Sequence, residues 1–250
     1  MRLHRFFVEF SLSEGSVFSI PDSALVHQWR NVFRFRVGTS VVLLDNSGWE
    51  YVARITHLGK KDASVEVLEG KECDVKSTRE MWLCVSLVKK DKFEWIVEKG
   101  TELGVTHFVP LLTDRSEKKN LSFERLKKVA KEAAEQSGRG KLPTFSAIST
   151  LPEAVEALLS PLSRQKIDLV AFHHEAADRF YDEHRGTSTP TAIFTGPEGG
   201  WSDEELALFK HRDIRTASLG SQVLKTETAV IIAAAFVLIP TQHTPKQNGR

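Results

Sequence analysis

Apolar and polar positions change rhythm along the chain near residue 80. Between Phe6 and Leu68 they alternate in short runs, the signature of half-buried strands. The alternation predicts strands over 5–10, 16–20, 40–45, 50–57 and 63–68, with a helix over 23–32. Asp45-Asn46-Ser47-Gly48 is the clearest turn among them. Short strands at this spacing imply a small β-barrel. The segment 70–79 is polar and without period, and we place a domain boundary there.

Beyond the boundary, strands and helices alternate. Strands are expected over 81–88, 106–112, 145–148, 167–172 and 191–194, and helices over 93–103, 123–136 and 152–159. Such alternation implies an α/β domain with a largely parallel sheet, whose ligands bind at the carboxyl ends of strands. The expected organisation is 1–72, 73–240 and a polar, unstructured tail at 241–250.

Two stretches stand at such strand ends. Thr195-Gly196-Pro197-Glu198-Gly199-Gly200 follows an apolar β-branched run, and Ser202 and Glu205 after it have capping-box spacing. Three glycines in five residues exceed the need of one turn and allow close backbone approach to a ligand. Neither a Walker A loop nor a G-x-G-x-x-G pattern is present. The second stretch, Leu219-Gly220 to Thr226, leads into a helix from about Glu227 with Thr226 as its cap. From Ala229 to Ile239 that helix is apolar on every side, which means burial or a subunit interface. Eleven apolar residues fall short of the roughly twenty that span a bilayer.

Charge and cysteine content narrow the classes. With 34 Lys and Arg against 33 Asp and Glu, the net charge of +1 announces no nucleic-acid partner, so RNA contact must rest on local clusters. Arg30, Arg34 and Arg36 lie beside Trp29, Phe33 and Phe35, with Arg2, His4 and Arg5 at the start. This fits either a core rimmed by solvated arginines or a surface for phosphates and stacked bases. Cys73 and Cys84 form no CxxC, and His173-His174 has no spaced partners, so no metal site is expected. Adjacent histidines in a strand would point to opposite faces. A cytoplasmic protein without membrane segments is the expectation.

Gly-Pro-Glu-Gly-Gly followed by Trp201-Ser202, and Leu219-Gly220 with Leu224-Lys225-Thr226-Glu227-Thr228-Ala229 after it, resemble the SPOUT class of RNA methyltransferases. Within that class the chain resembles the ribosomal RNA small subunit methyltransferase E family. Further matches are His4-Arg5-Phe6-Phe7-Val8, the segment 27–38, Glu98-Lys99-Gly100-Thr101-Glu102-Leu103-Gly104-Val105, Thr113-Asp114-Arg115-Ser116 and Glu135-Gln136-Ser137-Gly138-Arg139. Thr39, Gln222 and Lys225 depart from the family's commoner residues, and lysine lacks the bidentate fork of arginine.

The resemblance implies an α/β-knot methyltransferase domain with a trefoil knot, preceded by a PUA-like β-barrel that binds RNA. It implies S-adenosyl-L-methionine as cofactor, N3 of a uridine in 16S rRNA of the small subunit as target (position 1498), and a homodimer. Thr195, Gly196, Gly200, Leu219, Gly220 and Leu224 are then cofactor-binding, with Thr226 and Thr228 as further candidates. Glu198 is the candidate proton acceptor, its alternative role being an acceptor for loop N–H groups. Arg139 would stabilise charge on the uracil oxygens or hold a phosphate. Arg5, Arg30, Arg34, Arg115 and Lys141 would contact RNA. A ribose 2′-O-methyltransferase, a non-catalytic RNA-binding protein and a nucleotide-binding α/β enzyme unrelated to RNA are the rival functions.

Overall fold

The short-strand segment folds into a five-stranded sheet. A computed structural model describes residues 3–75, 79–116, 121–160, 166–178, 180 and 188–239. Contacts divide the chain into one unit of 1–76 with 131–142 and a second of 77–130 with 143–250. The expected tail, Arg2 and positions 76–78 lie outside the described residues.

In the first unit the strands are β1 (Arg5–Phe7), β2 (Val17–Ile20), β3 (Ser40–Leu44), β4 (Trp49–Leu58) and β5 (Ala63–Glu72), in the order β1-β3-β4-β5-β2. Only β1 and β3 run parallel. Alternation sends Ala53, Ile55, Val65 and Val67 into the core with Val41, Leu43 and Trp29, while Arg54 stays exposed. Two register shifts, at Val52/Ala53 and Ile55/His57, mark bulges in the β4 and β5 ribbon.

The expected helix over 23–32 forms in two pieces. Asp22 caps α1 (Ser23–His27) by accepting from the backbone N–H groups of Ala24 and Leu25. A π-type turn over Gln28–Val32 follows and buries Trp29 completely. β5 also runs into the segment expected to be a linker, because Gly70, Lys71 and Glu72 pair with Tyr51, Glu50 and Trp49. Gly70 suits this place, since a Cβ there would lie 2.8 Å from the Tyr51 ring.

The second unit is a parallel sheet with helices on both faces. Its strands are β6 (Met81–Ser86), β7 (His107–Leu112), β8 (Thr144–Phe145), β9 (Ser149–Thr150), β10 (Asp168–Phe172), β11 (Thr191–Thr195) and β12 (Arg215–Ala217). The order is β12-β10-β11-β6-β7-β8, with β9 also on β7. The single strand expected over 145–148 is thus two short pairings on one neighbour. The helices are α2 (Lys90–Leu103), α3 (Phe123–Ser137), α4 (Leu151–Leu159), α5 (Asp203–His211) and α6 (Thr226–Leu238).

Alternate residues of each strand feed two cores. Met81, Leu83, Val85 and Ile193 pack with α2 and α6, whereas Cys84, Ala192 and Phe194 pack with α4 and α5. The all-apolar α6 covers β6 and β11 beside α2, so the chain returns from the sheet edge at β12 to its centre. Helix ends follow local rules. Gly104, at φ 113°, closes α2, and capping boxes Thr150/Glu153 and Ser202/Glu205 open α4 and α5.

The second half of α3 belongs with the first unit. Ala134 packs with Phe7, Val42, Leu44 and Cys73, and the Phe7 N–H donates to Glu135 Oε1 at 2.9 Å. Gly140 lies so close to Cys73 and the Gly48 backbone that it has no room for a Cβ.

Candidate functional site

β12, β10 and β11 are neighbours, so their carboxyl ends open side by side. A cavity of about 380 Å³ lies there, within the range of small-molecule sites. Its walls come from Phe172 to His174 after β10, Thr195 to Trp201 after β11, and the stretch after β12 that ends in α6.

The loop after β11 is built on fixed supports. Trp201 is 3% exposed, and its Nε1 donates to the Phe172 carbonyl at 2.8 Å. Gly196 lies against this ring, where a Cβ would come within 3.2 Å of two ring carbons. Gly200 has φ 68° and donates to the Pro197 carbonyl, a turn that glycine adopts without strain. Residues after β7 brace the loop from outside. Asp114 accepts from the Ser202 hydroxyl at 2.5 Å, its N–H donates to Glu205, and Arg115 donates to the Gly199 carbonyl at 2.8 Å.

Thr226 is not the cap of α6. Lys225 occupies that position without a side-chain hydrogen bond, and Thr226 is the first helical residue. Its buried hydroxyl donates instead to the Gly196 carbonyl at 3.1 Å, which ties the two glycine loops together. Polar side chains at a first helical turn can turn away from the backbone when a better acceptor is near.

Of the cofactor-binding candidates, Thr195, Gly196, Gly200, Leu219, Gly220, Leu224 and Thr226 all line the cavity, and Thr228 does not. Gln222 and Lys225, the family departures, line it as well. The Thr195 hydroxyl is buried and without a hydrogen-bond partner among the described residues, a donor and acceptor left for a ligand. His173 and His174 also line the cavity. They follow β10 rather than sit in it, their rings are 5.1 Å apart, and each ring is 3.6 Å from Glu175. Leaving the strand removes the opposite-face rule. The signal in the sequence was their place directly after an apolar strand, shared with both glycine loops.

Glu198 lines the same cavity and is ion-paired. Lys92 of α2 donates to its Oε1 at 2.9 Å and lies 3.5 Å from Glu227 in the first turn of α6. The Lys92 hydrogen bond holds the Glu198 carboxyl below the ordinary carboxylate range. Among the described residues no cluster of three metal-ligating side chains occurs, and no helix is long and apolar enough to cross a membrane.

Arg139 and four RNA-contact candidates belong to the first unit; Arg115 belongs to the second. Arg139 is 6% exposed, and its guanidinium makes no ion pair among the described residues. Burial lowers its pKa from the usual arginine value. Arg5 is paired with Glu50 at 3.2 Å, and Arg30 donates to the Gly59 carbonyl at 2.7 Å. Arg34, at φ 56°, and Lys141 are exposed. Trp29 is core, whereas Phe33 and Phe35 are half-buried and stacked at 5.2 Å, with His4 4.4 Å from Phe33.

The matches to known proteins divide the chain by sequence near residue 75, so that 131–142 falls in the second match although it packs with the first unit. A family described as the RNA methyltransferase domain matches residues 75–238, and one described as the RNA methyltransferase PUA domain matches 30–68. The ribosomal RNA small subunit methyltransferase E of Rickettsia conorii is 30% identical over 97% of this chain and 98% of its own. That of Bacillus subtilis is 28% identical over 96% and 98%. In three dimensions the chain is similar to the same enzyme from Neisseria gonorrhoeae, solved bound to S-adenosyl methionine, with TM-score 0.82, 27% identity and coverage of 94% and 96%. With both domains matched in order, and with the glycine loops meeting at one cavity, the chain belongs to the ribosomal RNA small subunit methyltransferase E family.

Proposed function

We propose that this protein is an S-adenosyl-L-methionine-dependent methyltransferase of small-subunit rRNA, acting on N3 of a uridine in 16S rRNA in the cytoplasm. The observation that carries this is the cavity at three neighbouring strand ends, its two glycine loops joined by the hydrogen bond from Thr226 to Gly196. The residues present suit the cofactor. Leu219 and Leu224 offer an apolar wall for an adenine, the glycine backbone offers hydrogen bonds, and the unpartnered Thr195 hydroxyl offers one more. When bound, the cofactor supplies the methyl group.

The chain's own work is to bring a uridine to that place and take its N3 proton. Glu198 is the proposed acceptor, a carboxylate on the cavity wall. The Lys92 hydrogen bond lowers the pKa of Glu198, so this carboxylate, ionised at neutral pH, is a weaker base than an unpaired glutamate; general-base help is worth about 10²–10⁴-fold. Arg139 is proposed independently as an RNA contact. A buried guanidinium without an anionic neighbour among the described residues favours a phosphate or a uracil oxygen. Exposed Arg34 and Lys141, with the Phe33 and Phe35 stack, suit phosphates and an unstacked base. Arg5, Arg30 and Arg115 are already engaged within the fold and would contact RNA only with donors left over. The outward face of α6, where Ile231, Phe236 and Ile239 are partly or largely exposed, supports a homodimer.

The test is incubation with methyl-labelled cofactor and unmodified small subunits, followed by mass spectrometry of the labelled nucleoside. N3-methyluridine at one site is expected. A 2′-O-methyl nucleoside would overturn the target assignment. Glu198→Gln should lower turnover, and an unchanged rate and pH profile would remove Glu198 as the acceptor.

A further inference from the structure

Lys92 stands behind the cavity wall rather than in it. Its ammonium lies between two carboxylates from different segments, Glu198 on the first glycine loop and Glu227 in the first turn of α6. The Lys92 and Glu227 side chains are 24% and 17% exposed, whereas that of Glu198, on the cavity wall, is 45% exposed. A glutamate with that much exposure and no partner would sample several rotamers. Here one rotamer is held by a cation that is itself held from the other side.

We propose that Lys92 is a positioning residue for methyl transfer, pinning the Glu198 carboxylate, ionised and in one orientation, at the cavity wall while linking the first glycine loop to α6. This rests on the reading of Glu198 as proton acceptor. A simple surface ion pair would matter little. This one is shared between two carboxylates, and without Lys92 they face each other with less compensation.

The other charged groups around Glu198 do not replace it. Lys89, just before α2, acts on Glu198 only through space. Arg115 is committed to the Gly199 carbonyl, and Glu227 carries the same sign as Glu198. Lys225, His173 and His174 line the same cavity, and the two histidines lie closest in charge terms to Glu175 rather than Glu198. The depressed pKa of Glu198, caused first by the Lys92 hydrogen bond, agrees with this geometry.

The experiment is a double-mutant cycle read by kcat against pH, with cofactor and unmodified small subunits, on Lys92→Met, Lys92→Arg, Glu198→Gln and the variant that combines Lys92→Met with Glu198→Gln. Misplacing a reacting group costs on the order of 100-fold, and a loss of that size is expected for Lys92→Met. Its acid limb should move to higher pH, because the carboxyl loses its cation and faces Glu227. Lys92→Arg should restore both rate and limb, and Lys92→Met should cost nothing further in the Glu198→Gln background. An acid limb that coincides with the unsubstituted enzyme, or a full Lys92→Met loss in that background, would overturn the proposal.

Failure of the base assignment is distinguishable. If Glu198→Gln alone leaves turnover unchanged, the Glu198 carboxyl is titrated by NMR in protein without substrate, with and without Lys92→Met. An upward move on substitution supports the pinning contact independently of catalysis, and an unmoved titration refutes it.

Discussion

Gly196→Ala measures how rigid the cavity wall is. Gly196 does not have positive φ, so alanine meets no backbone penalty, and the effect is steric alone. The added Cβ would stand 3.2 Å from Trp201 Cδ2 and Cε2, a few tenths of an ångström inside ordinary contact. Trp201 has little room to give way. It is 3% exposed, hydrogen-bonded to Phe172 and packed edge-on against Phe209 at 5.0 Å. If the loop retreats instead, the Gly196 carbonyl leaves the Thr226 hydroxyl. Overpacking of this kind costs about 1–3 kcal/mol. For a chain of this size each kcal/mol lowers Tm by roughly 2–4 °C. Thermal unfolding and titration calorimetry with S-adenosylmethionine should show a lower Tm and weaker binding, with a smaller rise in Tm at saturating cofactor. Gly199→Ala is the control, since the nearest atoms to its Cβ, on Arg115, would lie at 3.4 Å, an ordinary van der Waals contact. Unchanged Tm and affinity for Gly196→Ala would refute Trp201 as a fixed wall.

Thr226→Val keeps the shape and removes the donor that joins the two glycine loops; leaving the buried pair unmade costs about 1–3 kcal/mol. Cofactor affinity should fall in calorimetry, while Thr228→Val, outside the cavity, should leave it unaltered. Glu135 has its pKa raised, first by burial, although the Phe7 N–H partly offsets this. The folded state therefore holds a proton more tightly than the unfolded chain, and stability falls as pH rises from the ordinary glutamate value through the folded one. Glu135→Gln keeps an acceptor for Phe7 and should flatten that decline in Tm measured against pH; an unaltered slope would argue against a buried, protonatable Glu135.

Much of this architecture was legible because periodicity reports burial. The change from alternating short strands to strand-helix alternation marks the passage from one unit to the other, and the glycine loops after apolar strands mark the cavity. Local chemistry was legible too, as in the Ser202/Glu205 box and the Gly104 cap. What escaped depends on long-range partners. Thr226 has the composition of a cap, and only the approach of Gly196, 30 positions away, draws its hydroxyl elsewhere. Lys92 sits in an ordinary amphipathic helix, and nothing local distinguishes it from Lys90, which meets Glu94 one turn on. Gly70 to Glu72 look like linker because their pairing belongs to the β4 register and not to their own composition. The place of 131–142 was hidden because α3 is one unbroken helix with a single apolar stripe.

That shared helix bears on how the chain matures as it is made. The first unit lacks part of its core until Ala134 and Leu142 arrive beside Phe7, Leu44 and Cys73, and the Phe7 N–H waits for Glu135. Synthesis has by then passed through β6, α2 and β7 of the second unit. The N-terminal sheet can therefore gather its larger core around Trp29 early, but not its second, smaller cluster. It stays open at one face while the chain grows from position 76 to position 142, roughly 3–13 s of elongation at about 5–20 residues per second.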